Sequence, residues 1–349
     1  MLKKLSLILL CLCLALAVGC KDKTEPLSVE QGEEPPVVQE YTEPVVYGIN
    51  PLTGLEDISP DKVNQRPVAV TINNLDLAQP VQTGLNKADI IYETEVEGGI
   101  TRLVALFQEP AKAEKIGSVR SARYAFIDLA LGHNAIYVHH GQDDYHAAPH
   151  LKDVDRLVLS TNNAGARISN GLKSEHTLYA YGGKLYEAIE KQGITTVNSS
   201  TDPWQTFADV SSPVTFETAA NAVNVSFSNQ YKTTFKYDAA TGKYIRFFNG
   251  TERKDYNTKE SVTVKNVFVL NTTIRTYPNC SDGYSHKQVM LDSGDGYYVS
   301  NGTYTPIKWS KGAATNKFTF TKADGTALTV NAGNSWVCIS DSSRSVTFE

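Results

Sequence analysis

Between Arg66 and Lys191 the apolar residues follow two different rhythms. Arg66 to Ile72 (RPVAVTI), Ile90 to Val96 (IIYETEV), Arg102 to Phe107 (RLVALF) and Ala135 to His139 (AIYVH) are short runs rich in β-branched and aromatic residues, the composition of strands. Ser121 to Leu131 (SARYAFIDLAL) and Lys184 to Lys191 (KLYEAIEK) repeat apolar positions at helical spacing instead, and this predicts helices. Glycines at 98, 99, 132, 141, 182 and 183 mark turns between them. Beyond Asp202-Pro203-Trp204 and Ser211-Ser212-Pro213 the helical rhythm stops. Short alternating runs follow, among them Thr233 to Tyr237, Tyr244 to Phe248, Val262 to Leu270, Tyr304 to Trp309 and Ser335 to Ile339, separated by Asn249-Gly250, Asn301-Gly302 and Asp324-Gly325, the punctuation of hairpins. The predicted class is α+β: a mixed α/β domain over 48–210, then a mostly antiparallel β domain over 211–349.

The N-terminus has a different pattern. Lys3 and Lys4 precede an apolar run from Leu5 to Val18, which ends in Gly19-Cys20. That run is too short for a comfortable membrane span and ends in small residues, so 1–19 reads as a secretory signal. From Cys20 to Tyr47 the chain is rich in Glu, Pro and Gln and has no apolar period. Such a segment buries too little surface to offset the entropy of ordering, so 20–47 reads as an extended spacer.

Charge and cysteines narrow the picture. The chain carries 33 Lys and Arg against 38 Asp and Glu, a formal net charge of -5; losing Lys3 and Lys4 with the leader takes 33 to 31 and the balance to -7. An acidic balance argues against nucleic acid, whose phosphates require a basic footprint. Of the five cysteines, Cys11 and Cys13 depart with the leader. Cys280 and Cys338, the two beyond Cys20, either pair in an exported domain or stay as separate buried thiols.

Two resemblances follow from particular residues. Ala17-Val18-Gly19-Cys20 resembles the lipobox of bacterial lipoproteins, although Leu16 stands four places before the cysteine instead of three. It implies that Cys20 is acylated and holds the protein on the extracytoplasmic face of the cell membrane; several acyl chains together give a lasting anchor. Asn50-Pro51-Leu52-Thr53-Gly54, Arg66-Pro67, Ala88-Asp89, Glu97-Gly98-Gly99-Ile100-Thr101-Arg102, Arg120-Ser121-Ala122-Arg123, His140-Gly141, Arg167 and Glu175-His176-Thr177-Leu178-Tyr179 together resemble the YerB-like lipoproteins of Gram-positive bacteria. Tyr244-Ile245-Arg246, Lys265-Asn266-Val267, Lys308-Trp309 and Gly333-Asn334-Ser335-Trp336 extend the similarity into the second half. The resemblance implies the fold, the two halves and the tether, and no activity.

Candidate chemistry centres on carboxylates and arginines. In a strand from Ile90, Glu93, Glu95 and Glu97 fall on one face, roughly 6.5 to 7 Å from one to the next. Acid and base pairs of glycosidases stand about 5 to 9.5 Å apart, and crowding would raise one carboxyl's pKa as a general acid needs. The plainer reading is a sheet face whose acids pair with arginines. Arg102 follows the Gly98-Gly99 turn, while Arg120 and Arg123 bracket a predicted helix start with Ser118 as its N-cap, a setting for anions. These arginines either close a Glu-Arg network or, with His140, Arg167 and His176, bind a carboxylate or phosphate on a ligand.

Six of the seven histidines lie between His133 and His176. His146 and His150, with Asp144 or His140, suggest a zinc-like set, but Pro149 disturbs the helix that would align them and no HExxH occurs. Neither a metal nor a cofactor is assigned. GxSxG, Walker and dinucleotide fingerprints do not occur in the sequence. Trp309, Trp336 and the tyrosines at 284, 297, 298 and 304 either stack on sugars or form cross-strand pairs and core. The leading reading is a membrane-tethered binding or accessory protein for an anionic cell-wall polymer or envelope protein. The rival is a cell-wall glycan hydrolase or lyase with Glu93 or Glu97 as general acid.

Overall fold

The computed structural model describes residues 46–278, 280 and 283–349; the signal segment, Cys20 and nearly all of the spacer lie outside them. The described chain is predominantly β. Its α-helices are the short Tyr124–Leu131, Ala147–His150 and Leu185–Glu190, accompanied by short 3-10 segments. The expected helical share of the first half is therefore corrected downward: residues 118–123, read as the start of a helix, run extended. Their backbone is taken by neighbouring elements, Val119 N to Leu178 O at 2.7 Å, Arg120 N to Thr71 O at 3.0 Å and Ala122 N to Gly141 O at 3.0 Å. The helix begins only at Tyr124, with Arg123 rather than Ser118 at its N-cap.

An eleven-stranded sheet forms the middle layer. Its order is Thr218–Ala219, Thr303–Ser310, Ser293–Ser300, Asn266–Thr272, Ser335–Asp341, Ile90–Glu95, Thr101–Phe107, Val68–Asn73, Ile136–His139 and Arg156–Val158, with Thr319–Lys322 paired to Thr303–Ser310. Strands from both sides of position 211 share this sheet, and the described residues form one compact unit. The join is Ser335–Asp341, parallel to both Ile90–Glu95 and Asn266–Thr272. Its sequence SWVCISD is buried through to Ser340, as expected for a strand covered on both faces.

On one side lies a smaller sheet containing Ala222–Ser226, Lys232–Asp238, Lys243–Phe248 and Val346–Phe348. Strict alternation in Lys243–Phe248 turns Tyr244, Arg246 and Phe248 inward. They join Phe235, Ile91, Trp336 and Cys338 in one core. On the other side Tyr124–Leu131 and Trp204 pack in one cluster with Tyr92, Leu106, Phe268, Phe320 and Val337 of the sheet. Tyr298, Trp309 and Trp336 are buried, so of the aromatics considered for sugar stacking these three belong to the core.

Candidate functional site

The three acids of the strand meet three different partners. Glu93 is fully buried and accepts from Asn74 Nδ2 at 2.9 Å, Thr101 Oγ1 at 2.9 Å, Thr233 Oγ1 at 3.1 Å and Trp336 Nε1 at 3.0 Å. Arg246 stands 4.0 Å away, itself fully buried and held by Gln79 Oε1 and Asn74 Oδ1 at 3.1 and 3.2 Å. Its guanidinium lies 4.5 Å from the Trp336 ring centroid, a cation–π geometry. Glu95 pairs with Lys287 at 3.1 Å. The expectation that Glu97 continues their face is corrected: the strand ends at Glu95, and Glu97 opens a 3-10 turn in which Gly98 takes φ +70°. The period of two ends with the strand.

Glu97 enters the arginine cluster instead. It receives Arg123 Nε at 2.8 Å and a second bond from Arg123 Nη2, while Arg102 Nη2 lies 3.3 Å away. Burial pushes this carboxyl up, but the Arg123 hydrogen bond and the charges of Arg102 and Arg123 outweigh it and hold it down at about 2. The folded pKa is depressed below the 4.5 of an unperturbed glutamate, so the stabilisation is present above pH 4.5 and is lost as pH falls through 2, about 3 kcal/mol in all. Urea titrations at pH 7 and pH 3 should show part of this loss in the wild type. In Glu97→Gln the loss should be visibly smaller, and equal losses would count against the assignment.

Arg120 separates from Arg123 because the segment carrying them is extended rather than helical. It reaches a cleft of about 410 Å³ lined by Arg120, Ser121, His140, Arg167, Ser174 and Glu175. The surrounding strands explain the convergence. Leu178–Ala180 pairs on one side with Ile116–Gly117, which leads into Arg120, and on the other with Gly165–Arg167. The 3-10 turn Ser174–His176 lies between the last two strands in sequence. His140 enters from the carboxyl end of Ile136–His139, which runs parallel to Val68–Asn73 and Arg156–Val158.

Arg120, Arg167 and His140 keep bonding capacity. Arg120 Nη1 donates to Glu175 O at 2.7 Å and faces Glu175 Oε2 at 3.6 Å, but its buried Nε has no partner. Arg167 uses only Nη1, toward Ser174 O and Thr177 Oγ1, out of the five N–H groups of a guanidinium. His140 Nδ1 donates to Leu159 O at 2.8 Å, which leaves Nε2 for a ligand. His176 stands behind them, nearly sealed: Nδ1 accepts from Asn73 at 2.9 Å and Nε2 faces Glu175 Oε1 at 3.2 Å. Burial, then the charge of Arg120, lowers its pKa. Gly141, at φ +75°, lets the loop approach Ser121; a Cβ there would stand 2.8 Å from Ser121 Oγ.

Arg102 and Arg123 thus share Glu97 and Arg120 faces Glu175, while Arg167 lines the cleft with no ion pair among the described residues. Repulsion is visible within the group, since Arg123 and Arg120 each lower the pKa of Arg102 after burial has done so. The sequence reading lacked Glu175, Ser121 and Ser174 as cleft residues; the only signal for Glu175 was its place in Glu175-His176-Thr177.

The histidines and the last two cysteines take separate places. His146 stacks on Tyr277 at 3.7 Å, whereas His150 stacks on Tyr124 at 4.1 Å and bonds Asp128, so the zinc-like set does not assemble. Among the described residues no three His, Cys, Asp or Glu side chains gather for a metal. Cys280 and Cys338 are both free. Cys338 is sealed in the central strand, where burial raises its pKa well above the usual range, while Cys280 sits against Tyr277 O.

Comparison with known proteins matches residues 52–195 to the model described as "Protein of unknown function (DUF3048) N-terminal domain" and 223–337 to the corresponding C-terminal domain. The "Putative lipoprotein YerB" of Bacillus subtilis (strain 168) is 30% identical over 308 residues, covering 83% of this chain and 85% of that protein. The crystal structure of YerB from Bacillus subtilis superposes with a TM-score of 0.72 at 27% identity, covering 85% of this chain and 98% of that one.

Proposed function

We propose, from the premise that this chain belongs to the DUF3048 family, that it is an extracytoplasmic binding protein, anchored to the membrane through Cys20, whose arginine cleft holds an anionic envelope polymer. The relative named a lipoprotein supports the anchor. The observation that carries the ligand class is the surplus of incompletely satisfied arginine, Arg120 and Arg167, around an open cleft in a chain of net charge -5. Phosphates or carboxylates spaced along a polymer would take up those donors in the bidentate fashion guanidinium favours. His140 adds a contact through its ring Nε2, and Glu175 positions Arg120.

The hydrolytic alternative finds little support in the geometry. Glu93 is sealed within its partners, and Glu97 is ion-paired and held ionised, whereas a general acid must be open to substrate with its pKa raised. Calorimetric titration of the mature protein with poly(glycerol phosphate), beside neutral dextran, tests the reading. Binding to the phosphate polymer alone, weakening as salt shortens the screening length toward about 8 Å, is expected. Equal binding to dextran, or no binding at low salt, would overturn it.

A further inference from the structure

A second cavity, of about 510 Å³, lies elsewhere. It opens where Thr53 and Ala88-Asp89 of the first half meet Lys243, Lys265 and Gly333-Asn334 of the second. Its size falls within the range of sites for small ligands.

Asp89 lies in this cleft, 8% exposed. Asn50 Nδ2 donates to one of its oxygens at 2.7 Å and the Gln108 backbone N–H to the other at 2.6 Å. A carboxylate offers about four acceptor directions, so capacity remains. Asn86 and Asn334 each spend one amide N–H on the framework, toward Ser261 O at 3.0 Å and Thr263 O at 2.9 Å. An amide has two, so each keeps one for a ligand.

The charges are distributed unevenly. Lys112 is taken by Asp57 at 3.3 Å and Glu109 at 3.9 Å, and Asp209 accepts from the backbone and hydroxyl of Ser211. Lys87, Lys243 and Lys265 have no ion pair among the described residues. Lys265 is oriented by Gly242 O and Asn301 Oδ1, which leaves one of its three N–H donors. Its stem crosses bare backbone at Gly333, where a Cβ would sit 2.6 Å from Lys265 Cβ. Burial, then the charge of Lys243, lowers its pKa, and a bound anion would relieve that strain.

We infer that this cleft is a second ligand site, taking a small hydroxylated anion, a sugar or polyol with one phosphate or carboxylate. The acid group lies against Lys87, Lys243 and Lys265. The hydroxyls lie against Asp89, Asn86 and Asn334. This site is independent of the arginine cleft and stands if that reading fails.

The test is calorimetry on the mature protein with glucose 1-phosphate, glucuronate and neutral glucose as probes. One of the acids should bind at a single site at least tenfold more tightly than glucose, and the tighter of the two identifies the acid group. Lys87→Gln with Lys243→Gln, both exposed, should weaken that binding at least tenfold. Thr241→Trp, which fills the cavity without touching charge, should do the same. Arg120→Gln with Arg167→Gln should leave it unchanged. No preference for acid over glucose, affinity unmoved by both cavity variants, or affinity lost with the arginine pair would each overturn the assignment.

Discussion

Replacing Arg246 by methionine is expected to destabilise the folded body by about 3 to 5 kcal/mol, the cost of leaving a buried charge without its counterion. Glu93 would keep its bonds from Asn74, Thr101, Thr233 and Trp336 but lose the one arginine paired with it among the described residues. The consequence reaches across the molecule, because Glu93 belongs to the first half while Arg246, Thr233 and Trp336 belong to the second. The double variant Arg246→Met with Glu93→Leu should recover much of the loss, since apolar replacement of a buried pair is often neutral. Urea denaturation of the mature protein measures both. A single-variant loss below about 1 kcal/mol would mean that the pair is not the clamp described.

Changing Arg120 and Arg167 together to glutamine should lower affinity for poly(glycerol phosphate) at least tenfold, which is about 1.4 kcal/mol or more, while the melting temperature stays within a few degrees. Arg167 is exposed and Arg120 half-buried, and neither holds a core contact. Arg102→Gln provides the contrast. That side chain is 3% exposed and bridges Glu97 to Ser121 O, so its loss should appear first in stability. If binding falls no further with the Arg120 and Arg167 pair than with Arg102→Gln, the cleft is not the contact surface.

The strands were legible because period and composition are local properties. Val68–Asn73, Ile90–Glu95, Thr101–Phe107, Lys243–Phe248 and Ser335–Asp341 lie within one or two residues of the runs that predict them. The pairing of glutamate with arginine was legible at Glu97, whose partners lie 5 and 26 positions away. It was not legible at Glu93, which meets Trp336 across 243 positions. Sequence spacing says nothing about a strand from the C-terminus inserting beside Ile90–Glu95. One signal was present: Arg246 stands at an inward position between Tyr244 and Phe248, and an arginine in that register requires a buried acid. The helix start was misplaced for a similar reason. Ser121 to Leu131 fits a helix by pattern, but the backbone of 119–122 is claimed by Thr71, Gly141 and Leu178, and tertiary hydrogen bonds override a weak local preference.

The most direct measurement is a crystal structure of the protein grown with a short oligo(glycerol phosphate). Density for a phosphate bridging Arg120 and Arg167, with His140 in contact, is the predicted result. A well-occupied oligomer bound elsewhere on the surface, with the cleft holding only water, would contradict it.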